Sequence, residues 1–445
     1  MFDRRLERSN THEASRSVNG RGRMLTGAHW TLFVLFLTNV FNVGDRTLLG
    51  VVTEPVKLDL ALSDTEMSLL NGFLFVFFNL AGGLFIARFI DRGNRKLILL
   101  LGLCCWSVAT ALTGLAEDFR TLALARMAVG IGEATAFPAA MSLIPDLFAR
   151  ETRGRAVGIY QSSGFVGIIV GTIAAGVLAG AFGWRTMFAI CGAAGLVVAM
   201  MLLLTVREPP REVPAADPNS RVSWLSDLIA SCRRILPLPG FLALTLAFGV
   251  SAMMAAVTGA WGPAFLQRSH NIPLTEVGLA IGPSVAIGGI CGTLLSGHLA
   301  DRLVKRHGCM LAMLRIPLVA LPLAAPCMAG FIFLPGVGAA LLSMGLMNFL
   351  LGCAVAPFIN YAISHVAPGD RALTSAILLS SSGLIGGGLG PFLVGLLSDA
   401  LSPVYGRESL RYAISVMIAT PLVATGLLMR TIHHASSGRG QNKVT

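Results

Sequence analysis

The sequence predicts an all-α integral membrane protein with twelve transmembrane helices in two pseudo-symmetric six-helix bundles. Three observations carry this. Hydrophobic residues make up 54% of the 445 positions and charged residues only 13%, against about 25% charged in a soluble globular domain. Mean hydropathy is +0.72. Apolar runs long enough to cross a hydrocarbon core of about 30 Å recur from about residue 30 to residue 430. This leaves too little polar surface for a soluble enzyme and too much apolar sequence for a disordered chain or a small disulfide scaffold.

Runs of suitable length predict spans at 30–52, 67–90, 97–116, 121–143, 155–179, 184–205, 239–266, 275–299, 309–333, 337–362, 372–397 and 410–430. Assigning alternate loops to alternate sides puts 25 Lys and Arg on the side of both termini and 6 on the other, with Arg46, Arg126 and Arg315 inside spans. The positive-inside rule then places both termini in the cytoplasm, with the inner membrane of a bacterium as the expected location. The same placement accounts for the net charge of +11, so no nucleic-acid partner is implied.

Five segments follow. Residues 1–28 are polar and Arg-rich and read as a disordered cytoplasmic arm; with no apolar stretch before a small-residue cleavage site they are not a signal peptide. Residues 29–205 form the first bundle. Residues 206–238 form a cytoplasmic linker beginning REPPREVPAADPNS, whose prolines cannot continue a helix. Its second part, SWLSDLIASCRRIL, aligns Trp224, Leu225, Leu228, Ile229, Ile235 and Leu236 on one stripe, predicting a helix on the inner membrane surface. Residues 239–430 form the second bundle and residues 431–445 a cytoplasmic tail. The eight cysteines show no metal-ligand spacing and read as small buried apolar residues; no metal and no cofactor are expected.

Internal repetition supports the division into halves. ARFIDRGNRK follows span two and GHLADRLVKR follows span eight, so Asp91, Arg92, Arg95 and Lys96 match Asp301, Arg302, Lys305 and Arg306, with Gly297 in the second copy. A carboxylate at a helix end can pair with arginines or with a neighbouring helix N-terminus, which makes both loops candidate gates. Glycines at 164, 167 and 171 in span five, and at 386, 390 and 395 in span eleven, allow close helix approach.

These residues resemble the major facilitator superfamily of secondary transporters, over about residues 29–430. Within it they are most similar to the spinster-like group, through GDR at 44–46, RMAVGIGEA at 126–134, REPPR after span six and PFLVGLLSD ending at Asp399. Ala87 stands where the superfamily's loop signature usually has glycine. The resemblance implies the major facilitator fold and an amphipathic substrate, since spinster-like members are associated with sphingosine phosphates and lysophospholipids. An organic anion or drug-like compound is the alternative substrate class. A non-transporting sensor is the alternative function. No enzymatic role is expected, because the eight histidines are scattered without a nucleophile and base.

Charges inside the spans carry the mechanism read from the residues. A charge near the bilayer centre costs about 2.5–3.5 kcal/mol on insertion scales, so it persists mainly beside a cavity or a partner. Asp45 and Glu133 are the acids well inside spans, accompanied by Arg46 and Arg126. Counting about 1.5 Å per residue from each span's start puts them at overlapping depths. Arg126, Gly130 and Glu133 share a helical face, and Asn42 lies on the polar stripe of span one. Asp45 and Glu133 are the candidate proton carriers, Arg46, Arg126 and Asn42 their charge or substrate partners, and the proton the coupling ion. Trp261, Asn360 and Tyr361 are the candidate uncharged substrate contacts of the second half. The working unit is expected to be a monomer surrounded by membrane lipid.

Overall fold

The computed structural model describes residues 3–210 and 224–441, with side chains described from 27 to 210 except 87, 91 and 92, and from 229 to 435 except 368. Among the described residues every regular element is helical. Ten continuous helices are long and apolar enough to span a membrane. Two of them, Arg150–Thr205 with 56 residues and Arg371–Ala435 with 65, are more than twice as long as a single crossing of about 20 residues requires. Each turns back at a glycine: Gly183 at φ 82° and Gly406 at φ 54°, a left-handed conformation that glycine adopts without a Cβ penalty. The chain therefore crosses twelve times, in two six-helix halves.

Local sequence sets the ends. Ser63 and Glu66 form a reciprocal capping box at the start of span two, Asn94 caps span three and Asp118 caps span four, each satisfying backbone donors that a helix start leaves open. Two expectations need correction. The first helix begins at Asp3 instead of near residue 29; no proline interrupts residues 3–51, so nothing in the sequence forces the hydrogen-bond ladder to end at the membrane. Arg315 is exposed at the first residue of its helix, beside His307 at 2.9 Å, so it is not a membrane-buried charge.

The linker helix forms at Trp224–Ile235; residues 211–223 lie outside the described residues. It docks on the loop between spans ten and eleven, where Arg234 grips both Asp370 oxygens at 2.7 and 3.1 Å. Those bonds hold the Asp370 carboxyl below the ordinary carboxylate range. Ile235 is buried, whereas Ile229 and Leu236 are half-exposed.

Glycines bring the helices together. In the first half Gly167 and Gly171 pack on Gly44 of span one; in the second, Gly386 and Gly390 pack on Ala252 and Met253 of span seven. Spans five and eleven therefore play the same part against spans one and seven, as the repeat predicts. The halves also meet through glycine: Gly72 against Gly387, Gly50 against Gly259 and Gly278 against Gly176. Spans two and eleven touch where each widens into π-turns, Leu69–Phe73 and Ser382–Leu389, a feature frequent at functional positions in helices.

One prediction follows from the contact between spans five and eight. A Cβ on Gly278 would sit 2.2 Å from the Thr172 carbonyl oxygen. Overpacking of this kind costs about 1–3 kcal/mol. Gly278→Ala is expected to separate the halves at this end, read as increased thiol labelling of a cysteine introduced at position 275.

Candidate functional site

Asp45, Arg46, Arg126 and Glu133 come together inside the first half, as their depths predict. Glu133 is 2% exposed, and its Oε2 accepts from Arg46 Nε at 2.7 Å. Arg46 Nη2 also donates to Asn42 Oδ1 at 3.0 Å, and Asn42 Nδ2 donates to the Glu133 backbone carbonyl at 3.3 Å. Asn42 therefore positions both members of the pair. Asp45 turns toward span three, where Thr110 donates to its Oδ1 at 2.9 Å. Arg126, 1% exposed, feels both acids and makes no ion pair with a described residue within 4.0 Å.

The polar stripe of span one thus divides among its neighbours. Asn39 donates to Ser163 on span five at 2.7 Å and accepts from Tyr160 at 3.3 Å, while Asn42 and Arg46 face span four and Asp45 faces span three. Phe75 on span two completes the cluster, with Arg46 and Arg126 over its ring at 5.3 and 5.2 Å, close enough for cation–π attraction. It lies in the apolar FLFVFF run of span two, with Asn71 and Asn79 four residues either side on the same helical face. Three buried atoms in this cluster have no hydrogen-bond partner: Asp45 Oδ2, Glu133 Oε1 and Arg126 Nε. Arg46, by contrast, keeps 40% of its side chain exposed. The site is thus a buried charge network with one cation reaching out of it.

The expected uncharged contacts in the second half separate. Trp261 is fully buried, and its indole N–H donates to the Pro391 carbonyl at 3.1 Å, joining spans seven and eleven; in this conformation it serves packing. Tyr361 is buried and lies 4.2 Å from the His365 ring, centroid to centroid. Asn360 lines a separate cavity of about 420 Å³ with Asp301, Lys305 and Arg371.

The repeated loops also differ from one another. The side chains of Asp91 and Arg92 lie outside the described residues. Arg95, 2% exposed, is held by Asp146, by Glu208 at 2.7 Å, and by the carbonyls of Ser142 and Pro209, both at 2.9 Å. Lys96 bonds Glu208 through its backbone N–H and the Leu203 carbonyl through Nζ. Both residues therefore fasten the first half to itself. Asp301, Arg302, Lys305 and Arg306 are exposed, and nothing lies within 4 Å of a Cβ built on Gly297. Removing the Arg95 side chain strands two carboxylates, a loss of about 3–5 kcal/mol for a buried pair. Arg95→Ala is expected to lower the unfolding midpoint in detergent by several degrees, whereas Arg302→Ala leaves it unchanged.

The bonds between halves lie at the opposite end, at residues that sequence reading missed. Arg268 on span seven grips Asp64 through Nη1 and Nη2, each at 2.8 Å, and Glu54 at 2.6 Å. Ser398 donates to Asp64 at 2.6 Å. Asp399 accepts from the backbone N–H groups of Asp64 and Thr65 at 3.0 and 2.7 Å, and from the Thr65 hydroxyl at 2.6 Å. A carboxylate at a helix start is favoured by the open N–H groups and the helix dipole, so Asp399 clamps span two from the other half. The available signal was Ser63-Asp-Thr-Glu66, a helix start carrying charge at the end of the molecule poorest in Lys and Arg.

The fold agrees with that of known proteins. The family model described as Major Facilitator Superfamily matches residues 35–391. An MFS-type efflux pump of Mycolicibacterium smegmatis is 31% identical over 389 residues, 87% of this chain and 88% of the relative. Protein spinster homolog 1 of Rattus norvegicus is 30% identical over 410 residues, 85% and 74% respectively. The crystal structure of a bacterial homolog to human lysosomal transporter spinster, inward-facing and occupied, superposes with a TM-score of 0.80 at 28% identity, covering 91% of this chain and 97% of that one. With twelve crossings, repeated halves and one closed end, this multi-pass membrane chain belongs to the Major Facilitator Superfamily of transporters.

Proposed function

We propose that the chain carries an anionic amphipathic solute of the lysolipid or sphingolipid type across a bacterial inner membrane by proton-coupled alternating access, with both termini cytoplasmic. In this orientation the Arg268–Asp64 lock closes the outer face. One observation carries the proposal: Glu133 is buried and neutralised by Arg46, while Arg46 itself reaches an exposed surface. Glu133 has two ways to be compensated, the guanidinium or a proton. When a proton takes over, Arg46 is free to bind an anion; when the proton leaves, Glu133 recaptures Arg46 and the anion is released. Protonation and substrate binding then favour each other, and linkage requires the coupling to be reciprocal. Asp45, buried in the same cluster, shares that proton, while Arg126 keeps the pair from carrying two uncompensated charges.

The apolar body of the solute is proposed to lie along the exposed phenyl rings of Phe73 and Phe77 on span two. Fluorescent lysophosphatidylglycerol in proteoliposomes tests the reading: an imposed pH gradient is expected to drive its movement in the native protein and not in Glu133→Gln. Driven movement that persists at the native rate in the variant contradicts it.

A further inference from the structure

Behind the charge cluster, away from the surface reached by Arg46, a cavity of about 170 Å³ lies between spans one, three, five and six. That is room for roughly five or six groups the size of a water molecule. Its walls are apolar or small: Trp106, Ala174 and Gly195 among them. Val170 and Ile190, both exposed, form its outer rim. Asp45 is the one charged residue lining it, and Ser107 lies nearby. Asp45 is 8% and Ser107 1% exposed, and Asp45 Oδ2 and Ser107 Oγ have no hydrogen-bond partner. Arg46, Arg126 and Glu133 do not line the cavity.

We propose that this cavity binds a short-chain alkylammonium ion, its head on Asp45 and Ser107 and its hydrocarbon in the apolar slot. A buried carboxylate oxygen and a buried hydroxyl each call for a hydrogen-bond partner, and Asp45 Oδ2 and Ser107 Oγ lack one among the described residues. One protonated amine meets both needs, with N–H donors left for the second acceptor, and its chain matches the wall chemistry. A neutral alcohol of the same length supplies no charge. The charge balance also fits: Asp45 and Glu133 sharing a proton beside two arginines carry the same net charge as the ionised pair with one ammonium bound. The amine therefore takes the place of the coupling proton, which makes the cavity an inhibitory site reached from the lipid face. This last step rests on the proton-carrier reading of Asp45; the binding itself does not.

The test is photolabelling of the purified full-length protein with a diazirine-bearing hexylamine and, separately, the matching hexanol, followed by peptide mapping. The amine is expected to label peptides of spans one, three, five and six. That labelling is expected to fall about tenfold or more in Asp45→Asn, as loss of a buried counter-charge requires, and severalfold in Ser107→Ala. Ala174→Phe fills the slot without touching the charge and is expected to abolish labelling, so the outcome stands even if Asp45→Asn fails to fold. Hexanol is expected to label these spans weakly and equally in native protein and Asp45→Asn. Amine labelling that is equal in native protein and Ala174→Phe, or spread evenly over the lipid-facing helices of both halves, overturns the site. Failure of proton-driven transport to depend on Asp45 overturns only the inhibitory role and leaves the labelling pattern in place.

Discussion

Glu133→Gln is expected to uncouple transport from the pH gradient while leaving exchange of solute intact. The amide keeps the size of the side chain and can still meet Arg46, but it neither carries the compensating charge nor takes a proton. Arg46 is then permanently available to an anion. Gradient-driven uptake should fall at least about tenfold, the factor equivalent to about 1.4 kcal/mol, whereas exchange between labelled and unlabelled solute on the two sides should continue. Asp45→Asn is expected to act in the same direction and less completely, because Asp45 is held by Thr110 and makes no ion pair with a described residue within 4.0 Å. Arg46→Lys separates charge from geometry. A lysine keeps the positive charge but cannot bond Glu133 and Asn42 together as the guanidinium does at 2.7 and 3.0 Å, so it should raise KM for the solute more than it changes coupling. Exchange and driven uptake measured side by side in proteoliposomes check all three variants.

Arg268→Ala is expected to open the locked end. The guanidinium is 6% exposed and compensates Asp64, 3% exposed, and Glu54, 20% exposed. Taking one partner from a buried ion pair costs about 3–5 kcal/mol, most of it from the charge left behind. Here the cost falls on one conformation: once this end opens, water reaches both carboxylates. The closed form should therefore lose about two to three powers of ten in population relative to the open one. Paired spin labels on the loops after spans one and seven are expected to show the longer distance becoming dominant. Asp64→Asn with Arg268→Gln removes the buried pair and is expected to restore part of the closed population, the remainder being lost because Glu54 no longer has Arg268 and Lys57 no longer has Asp64. Asp399→Ala should open the same end to a smaller degree, because it removes a helix clamp but no buried ion.

The fold was readable because hydrocarbon imposes a simple condition. Each crossing must be long and apolar, so the spans, the repeat and the halves stand out in composition alone. The charge cluster was readable for the same reason: Asp45 and Glu133 are conspicuous against the apolar residues around them. Phe75 was not: Asn71 and Asn79 on its helical face mark it as inward-facing, but nothing in an aromatic residue tells packing in a core from contact with two guanidinium groups. The Arg268–Asp64 lock escaped notice because its members sit at helix ends, where charge is common, and only three-dimensional proximity across 204 positions makes them partners. Trp261 misled in the opposite way. A tryptophan in a span suggests a substrate contact, but its N–H found a carbonyl on span eleven. Arg95 read as part of a gate from its matched position in the repeat, yet the segment after span six supplies it with Glu208 and the Pro209 carbonyl. Repetition in sequence fixes where a loop lies and leaves its partners to the neighbouring helices.

In the proposed mechanism a proton and an anionic solute bind together because both act on Arg46 and Glu133. Proton uptake on binding measures this without transport: lysophosphatidylglycerol is added to the purified protein in weakly buffered solution, and the pH change is followed with an indicator dye. Protons are expected to be taken up in step with saturation of the native protein and not with Glu133→Gln. Saturable binding to the native protein with no proton taken up would rule the mechanism out.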